Sequence, residues 1–194
     1  MRSFCLAAIL AIGAGSASAT TYVLDFTGSG SIPQSFGDNS EVDLGYRVFD
    51  NTANDGWGLD QGDDGDLLFW TTGYGNSDGA AWGGFSGRGE RGEITILATD
   101  PSATVTVDSF DLGGWSADED AEWRFFDRNG VPLATGTGTA GDTVSLSVTS
   151  GVSATGGLVF QWGLSVWHVG LENFAFTVGS PSDPVRVTFE APNP

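Results

Sequence analysis

The chain has 194 residues, with 25 acidic side chains against seven arginines, no lysine and one histidine, for a formal charge of −18. A surface this acidic repels nucleic acid and anionic membranes, so neither is expected as a partner. The missing lysine excludes a P-loop and Schiff-base chemistry, the single histidine, His168, excludes an HExxH zinc site, and no G-x-S-x-G elbow is present.

The first element is "MRSFCLAAILAIGAGSASA". Arg2 is a short basic start, Phe4 to Ile12 an apolar run, and Ala17-Ser18-Ala19 a small-x-small cleavage site. Together they predict a secretory signal peptide over 1–19, too short for a permanent membrane anchor. The mature protein is expected to be secreted, beginning at Thr20, with a single domain over 20–179 and a Pro-rich tail over 180–194. The only cysteine, Cys5, leaves with the leader. The domain must therefore hold together without disulfides, by its apolar core or with a metal.

Beyond the leader no stretch carries a helical apolar rhythm. Short alternating segments rich in Val, Thr, Phe and Trp predict strands over 21–27, 44–50, 66–71, 93–98, 104–112, 121–127, 143–149, 157–163, 171–178 and 185–190. Many short strands with frequent turn signals predict an all-β, two-sheet antiparallel sandwich. In "TVTVDSFDLGGW" (104–115) Val105 and Val107 face one side and Thr104, Thr106 and Asp108 the other. Gly113 and Gly114 are expected to turn the chain into an acidic loop over 113–120, leaving Trp115 at a strand end. Asn129-Gly130 marks a turn. The segment 72–92, with Tyr74, Trp82 and Phe85 among many glycines, is expected to be a long loop.

The aromatics are the first candidate chemistry, because an indole offers an apolar face on which the C–H face of a sugar can stack. Alternation assigns Trp70, Trp123 and Trp162 to the core. Trp57, Trp82 and Trp115 lie in Gly-rich or acidic loops where burial is not expected, and Trp167 falls on the face of Gln161 and Ser165. These four, Trp57, Trp82, Trp115 and Trp167, are the candidate ligand-binding residues. A regular strand through 158–168 would put His168 at the end of the face of Leu158, Phe160 and Trp162, as a core-edge histidine and not a base.

The second candidate is calcium. Residues 50–69 offer Asp50, Asn54, Asp55, Asp60, Asp63, Asp64 and Asp66 on a Gly-rich stretch, and calcium prefers several oxygen ligands on a turning loop. Asp60, Asp63, Asp64 and Asp66 are the candidate ligands of a structural calcium. The spacing is not that of an EF-hand, because Thr71 stands where the closing glutamate would be. Asp118-Glu119-Asp120 is a weaker alternative.

The runs "EITILATDPSATVTVDSFDLGGW", "WRFFDRNGVPLATG" and "VGLENFAF" resemble secreted bacterial β-sandwich proteins of the PEP-CTERM-associated type, over roughly residues 93–178. The shared marks are the "V-x-L/V-x-S-F-D-L-G-G" strand, a "D-x-x-G-x-x-L" hairpin and a late "G-L-D/E-N-hydrophobic-x-F" strand. The resemblance implies a jelly-roll, galactose-binding-like fold akin to carbohydrate-binding modules, and export associated with exopolysaccharide. By the same analogy, Glu172 is a further calcium candidate near the terminal strands. No Pro-Glu-Pro sorting motif, apolar span or arginine cluster follows residue 178.

The expected function is a non-enzymatic module that binds polysaccharide or another extracellular matrix component. The alternatives are a structural surface-interaction protein with its aromatics buried, and a glycan hydrolase or lyase using a carboxylate pair.

Overall fold

Short segments with one apolar face each bury those faces most fully when two sheets stack face to face. The computed structural model describes residues 19–49, 57–59, 65–71, 74–75, 78–83, 90–163 and 165–180. Among them all regular structure is β, in two antiparallel sheets. The front sheet has the order β10 (Leu146–Thr155), β7 (Thr104–Gly114), β12 (Val169–Gly179), β5 (Ala80–Gly83), β4 (Leu67–Trp70) and β2 (Gly30–Ser31), and β1 (Ala19–Leu24) also pairs with β12. The back sheet has the order β3 (Val42–Phe49), β6 (Arg91–Ala98), β11 (Gly157–Gly163), β8 (Glu119–Asp127) and β9 (Pro132–Ala140).

Between the sheets the inward residues of β7, β8, β11 and β12 meet as an aromatic centre. Phe160 lies 4.7 Å from Phe110, 5.1 Å from Phe125 and 5.1 Å from Phe174 between ring centroids. Trp162 stacks on Phe160, and Trp123 meets Phe110 edge-on, so these two tryptophans lie in the core as alternation expects. Trp70 does not: Leu67 and Phe69 of β4 face the core, and Trp70 and Leu68 project outward.

Most expected strands coincide with observed ones, with β10 displaced toward its C-terminus. The expected strand over 185–190, the tail from 181 and the leader over 1–18 lie outside the described residues. Three strands were not expected, the two-residue β2 among them. β9, "PLATGTGTA", carries only one large apolar side chain, and it forms because eight of its nine residues pair with β8, Leu133 falling in a register shift. β5, "AAWG", falls inside the expected long loop and is fixed by four pairs with β4 and one, Leu171 to Ala81, with β12. The acidic loop also begins later than expected: β7 continues through Gly113 and Gly114, and the turn is made at Ser116, whose φ is 56°.

The outer face of the back sheet carries a rung of opposed residues: Arg47, Glu93, Gln161, Arg124 and Thr135. Arg47 Nε donates to Glu93 Oε1 at 2.6 Å and its Nη2 donates to Glu93 Oε2 at 2.9 Å. Across this rung lies the segment 57–59. Gln161 Nε2 donates to Gly58 O at 2.8 Å, Gly58 N donates to Gln161 Oε1 at 3.0 Å, and Arg47 donates to Leu59 O. The segment lets the centre of this polar rung, Glu93 and Gln161, be buried with its groups satisfied.

At the far end of β8, Asp127 caps the turn of Asn129-Gly130. Its Oδ1 accepts from Val131 N at 2.9 Å and from Asn129 N at 2.8 Å. These bonds hold the carboxyl below the usual aspartate range, with the Val131 amide the largest cause. A depressed folded value means the cap is fully present above the unfolded aspartate pKa and is lost as pH falls through the folded one. Protection of the Asn129 and Val131 amides, measured against their intrinsic exchange rates, should therefore fall on acidification through that window, and in Asp127→Ala it should be low at every pH.

Candidate functional site

The outer face of the front sheet has two adjoining parts, an aromatic nest and a polar cleft. The nest forms because β4 and β5 are apolar on both faces: Trp70 and Leu68 on β4, and Ala80 and Trp82 on β5, project away from the core. Trp70 meets Trp82 edge-on at 4.9 Å and Trp115 at 5.2 Å, and Trp82 meets Trp167 at 5.0 Å. Each such pair adds about 0.5–1.5 kcal/mol beyond the area it buries. Tyr74 closes the nest against Trp115 at 5.4 Å and donates its hydroxyl to Trp167 O at 2.5 Å. Burial pushes its phenol well above the usual range, so the donor proton is held at any ordinary pH.

This arrangement revises the expected tryptophan set. Trp115 and Trp167 are half-buried in the nest, and Trp70, which alternation assigned to the core, joins them. Trp82 was expected to be a loop residue but sits on β5 with 8% of its surface exposed, covered by its neighbours. The indole N–H groups of Trp70 and Trp82 are buried without a hydrogen-bond partner, which costs about 1–3 kcal/mol each and is offset by the ring contacts. Trp57 is on the opposite sheet. It is half-buried in the segment 57–59, with the Arg91 guanidinium 4.2 Å and the Arg124 guanidinium 4.8 Å from its ring centroid. Two cation–π contacts anchor that segment and remove Trp57 from the group formed by the other three.

The cleft has a volume of about 460 Å3 and is lined by Asp25, Asp78, Asp111, Ser145, Glu172 and Asn173, among others. Its position follows from how β12 is paired. β1 lies along the later half of β12, ending with Leu24 opposite Phe174, and β5 touches β12 at Leu171. The ladder between β12 and β7 slips between Glu172 and Ala175, and Asn173 takes a left-handed φ of 46°. A bulge there redirects side chains outward, and Asn tolerates this φ better than a branched residue. Asp25 follows β1 and Asp78 precedes β5, so both arrive at the same gap. Asp111 and Glu172 face each other across the strands. Asn173 Nδ2 donates to Asp111 Oδ2 at 2.8 Å, and Ser145 Oγ donates to Glu172 Oε2 at 3.2 Å.

Tyr74 and Gly75 separate and connect the two parts. Tyr74 bridges to Trp115, and Gly75 N donates to Gly114 O at 3.4 Å. This explains the paired glycines before Trp115. A Cβ on Gly113 would lie 2.6 Å from Glu172 Oε1 and 2.7 Å from the Tyr74 carbonyl carbon. The glycines permit close approach, and not the sharp turn that was expected of them.

The remaining expected residues fall elsewhere. His168 is not on the β11 face, because that strand ends at Gly163 with a φ of 137°. It lies in the turn before β12, its Nδ1 3.0 Å from Ser165 Oγ and its ring edge-on to Trp167. Of the calcium candidates, Asp60, Asp63 and Asp64 lie outside the described residues, as do Asp50, Asn54 and Asp55. Asp66 is exposed just ahead of β4. Among the described residues no group of three or more His, Cys, Asp or Glu side chains is placed to hold a metal ion, the cleft carboxylates included.

No protein-family model and no curated protein matches the sequence. Among solved structures the chain is similar to a GH26-CBM35 β-(1,4)-mannanase of Podospora anserina, at 16% identity and a TM-score of 0.35 over 76% of this chain and 30% of that one. It is similar to a CBM4 structure at 8% identity and a TM-score of 0.31 over 75% of this chain and 89% of that one. An arabinose-bound GH51 α-L-arabinofuranosidase is matched at 13% identity and a TM-score of 0.35 over 82% of this chain and 32% of that one. The chain thus spans less than a third of the mannanase, and identities this low bear on neither ligand nor reaction.

The dependence of the cleft on Gly113 is testable. Gly113→Ala should destabilise the protein by about 1–3 kcal/mol in urea unfolding and alter the near-ultraviolet circular dichroism of the tryptophan nest. Gly45→Ala on β3, where the nearest atom to a new Cβ is 3.6 Å away, should do neither.

Proposed function

We propose that the chain is a secreted β-sandwich module, without catalytic activity of its own, that binds polysaccharide in an extracellular matrix. The observation that supports this most is the junction of half-buried indoles with an open polar cleft on one sheet face. A pyranose has apolar C–H faces and a rim of hydroxyls, so it needs a ring to lie on and acceptors and donors beside it. Trp115, at the junction with Trp70 and Tyr74, supplies the ring. Asp111, Asn173, Ser145 and Glu172 supply the acceptors and donors. Those side chains are already bonded to one another and so are held in place before a ligand arrives, which lowers the entropic cost of binding. Calcium belongs to the same proposal, as the ion that would order the stretch of Asp60, Asp63, Asp64 and Asp66 by offsetting its like charges.

The test is a titration of a panel of oligosaccharides into the mature protein, followed by tryptophan fluorescence. Saturable binding of at least one glycan class is expected, and Trp115→Ala should weaken it roughly tenfold to a hundredfold without unfolding the domain. A flat response across the panel would remove the sugar-binding reading and leave a structural surface protein. For calcium, the expected result is a rise in Tm on adding the ion that chelator reverses, and no shift would remove the metal from the proposal.

A further inference from the structure

The charges of the two outer faces are arranged differently. On the back sheet two acids pair with cations: Glu93 with Arg47 at 2.6 Å, and Glu122 with Arg124 at 2.8 Å. Arg91, opposite Phe49, stands in the same layer over Trp57, and Arg128 lies at the end of β8 against Gly156. These four are the arginines of the described residues, and none lines the cleft of the front sheet. There Asp25, Asp78, Asp111 and Glu172 line one cleft, two of them on directly opposed positions of neighbouring strands. Like charges so placed repel, and the whole chain, at −18, adds to the negative potential. The adjoining indoles favour the same sign of ligand, because the face of an aromatic ring attracts cations.

From this complementarity we infer that the outer face of the front sheet docks a glycan bearing free ammonium groups, an oligomer of deacetylated hexosamine. The inference rests on the polysaccharide-binding reading above and names the class of sugar. The ring's C–H face lies on Trp115, and its ammonium points to the carboxylates of Asp78 and Asp111 across the cleft. An N-acetylated sugar would fill the same space with a neutral amide and lose the ionic contacts. A uronic acid sugar would bring a second anion to four carboxylates. No bond is made or broken, and binding relieves a repulsion that the free protein carries.

The experiment compares three oligomers of equal length, of β-1,4-linked glucosamine, N-acetylglucosamine and a hexuronic acid, by calorimetric titration at mildly acidic pH and two salt concentrations. The glucosamine oligomer should bind, and the other two should bind about tenfold or more weakly. Asp78→Asn and Asp111→Asn should each weaken the glucosamine oligomer severalfold and leave the acetylated one unchanged. Asp120→Asn, on the back sheet, removes the same charge and should change neither. Equal binding of the acetylated and deacetylated oligomers, both lost in Trp115→Ala, would overturn this inference and leave the polysaccharide reading standing. Glucosamine binding that salt abolishes and that Asp78→Asn, Asp111→Asn and Asp120→Asn affect alike would also overturn it, as general attraction to an acidic protein. No binding of any of the three oligomers would overturn the inference, and the wider glycan panel would then decide the reading beneath it.

Discussion

Strand β12 has β7 along one edge and two partners, β5 and β1, end to end along the other. A strand cannot pass from one neighbour to the next without an interval in which its backbone groups have no ladder to join. In β12 that interval falls at Glu172 and Asn173, and it coincides with the bulge against β7. The cleft is the external consequence. β1 leaves the sheet there, β5 enters it there, and the residues flanking both, Asp25 and Asp78, end up beside Asp111 and Glu172.

The same strand explains why the front sheet has a second apolar layer. β5 is only four residues long and is bound to β12 through Leu171 and Ala81. Such a short strand gains little from its own ladder, and Trp82 stabilises it from outside by packing on Trp70 and Trp167. The nest is thus a small core of its own, capped by Tyr74, whose hydroxyl ties it to the turn before β12. Stability and candidate function draw on the same rings here, which limits how freely any of them can be exposed.

Among the described residues the cations are divided unevenly between the two sheet faces. Arg47, Arg91 and Arg124 all stand on the back sheet, where they satisfy Glu93 and Glu122 and hold Trp57. Burying Gln161 and Glu93 under the segment 57–59 requires this, because a buried carboxylate or amide without partners would cost several kcal/mol. Among the described residues the front sheet is left with its acids, because the arginines are taken up on the back sheet.

The sandwich itself was legible in the sequence, because strand periodicity is a local property: Val105 and Val107 alternate with Thr104, Thr106 and Asp108 whatever the sheet order. Trp123 and Trp162 were placed in the core on the same ground. Trp70 was misplaced although the signal was present, since "LLFW" is apolar at every position and such a strand has two faces to cover. Trp82 and β5 were hidden because Ala and Gly carry little strand tendency, and their conformation comes from β4 and β12, distant in the chain. Composition alone determined the acidity of the chain and the absence of lysine chemistry, and alternation with turn signals the two-sheet class. Which acids line one cleft, which indoles pack together and which sheet holds the arginines of the described residues are long-range matters of strand order and register. Only the tertiary structure decided them, because pairing β12 with β7, β5 and β1 sets neighbours that no local pattern specifies.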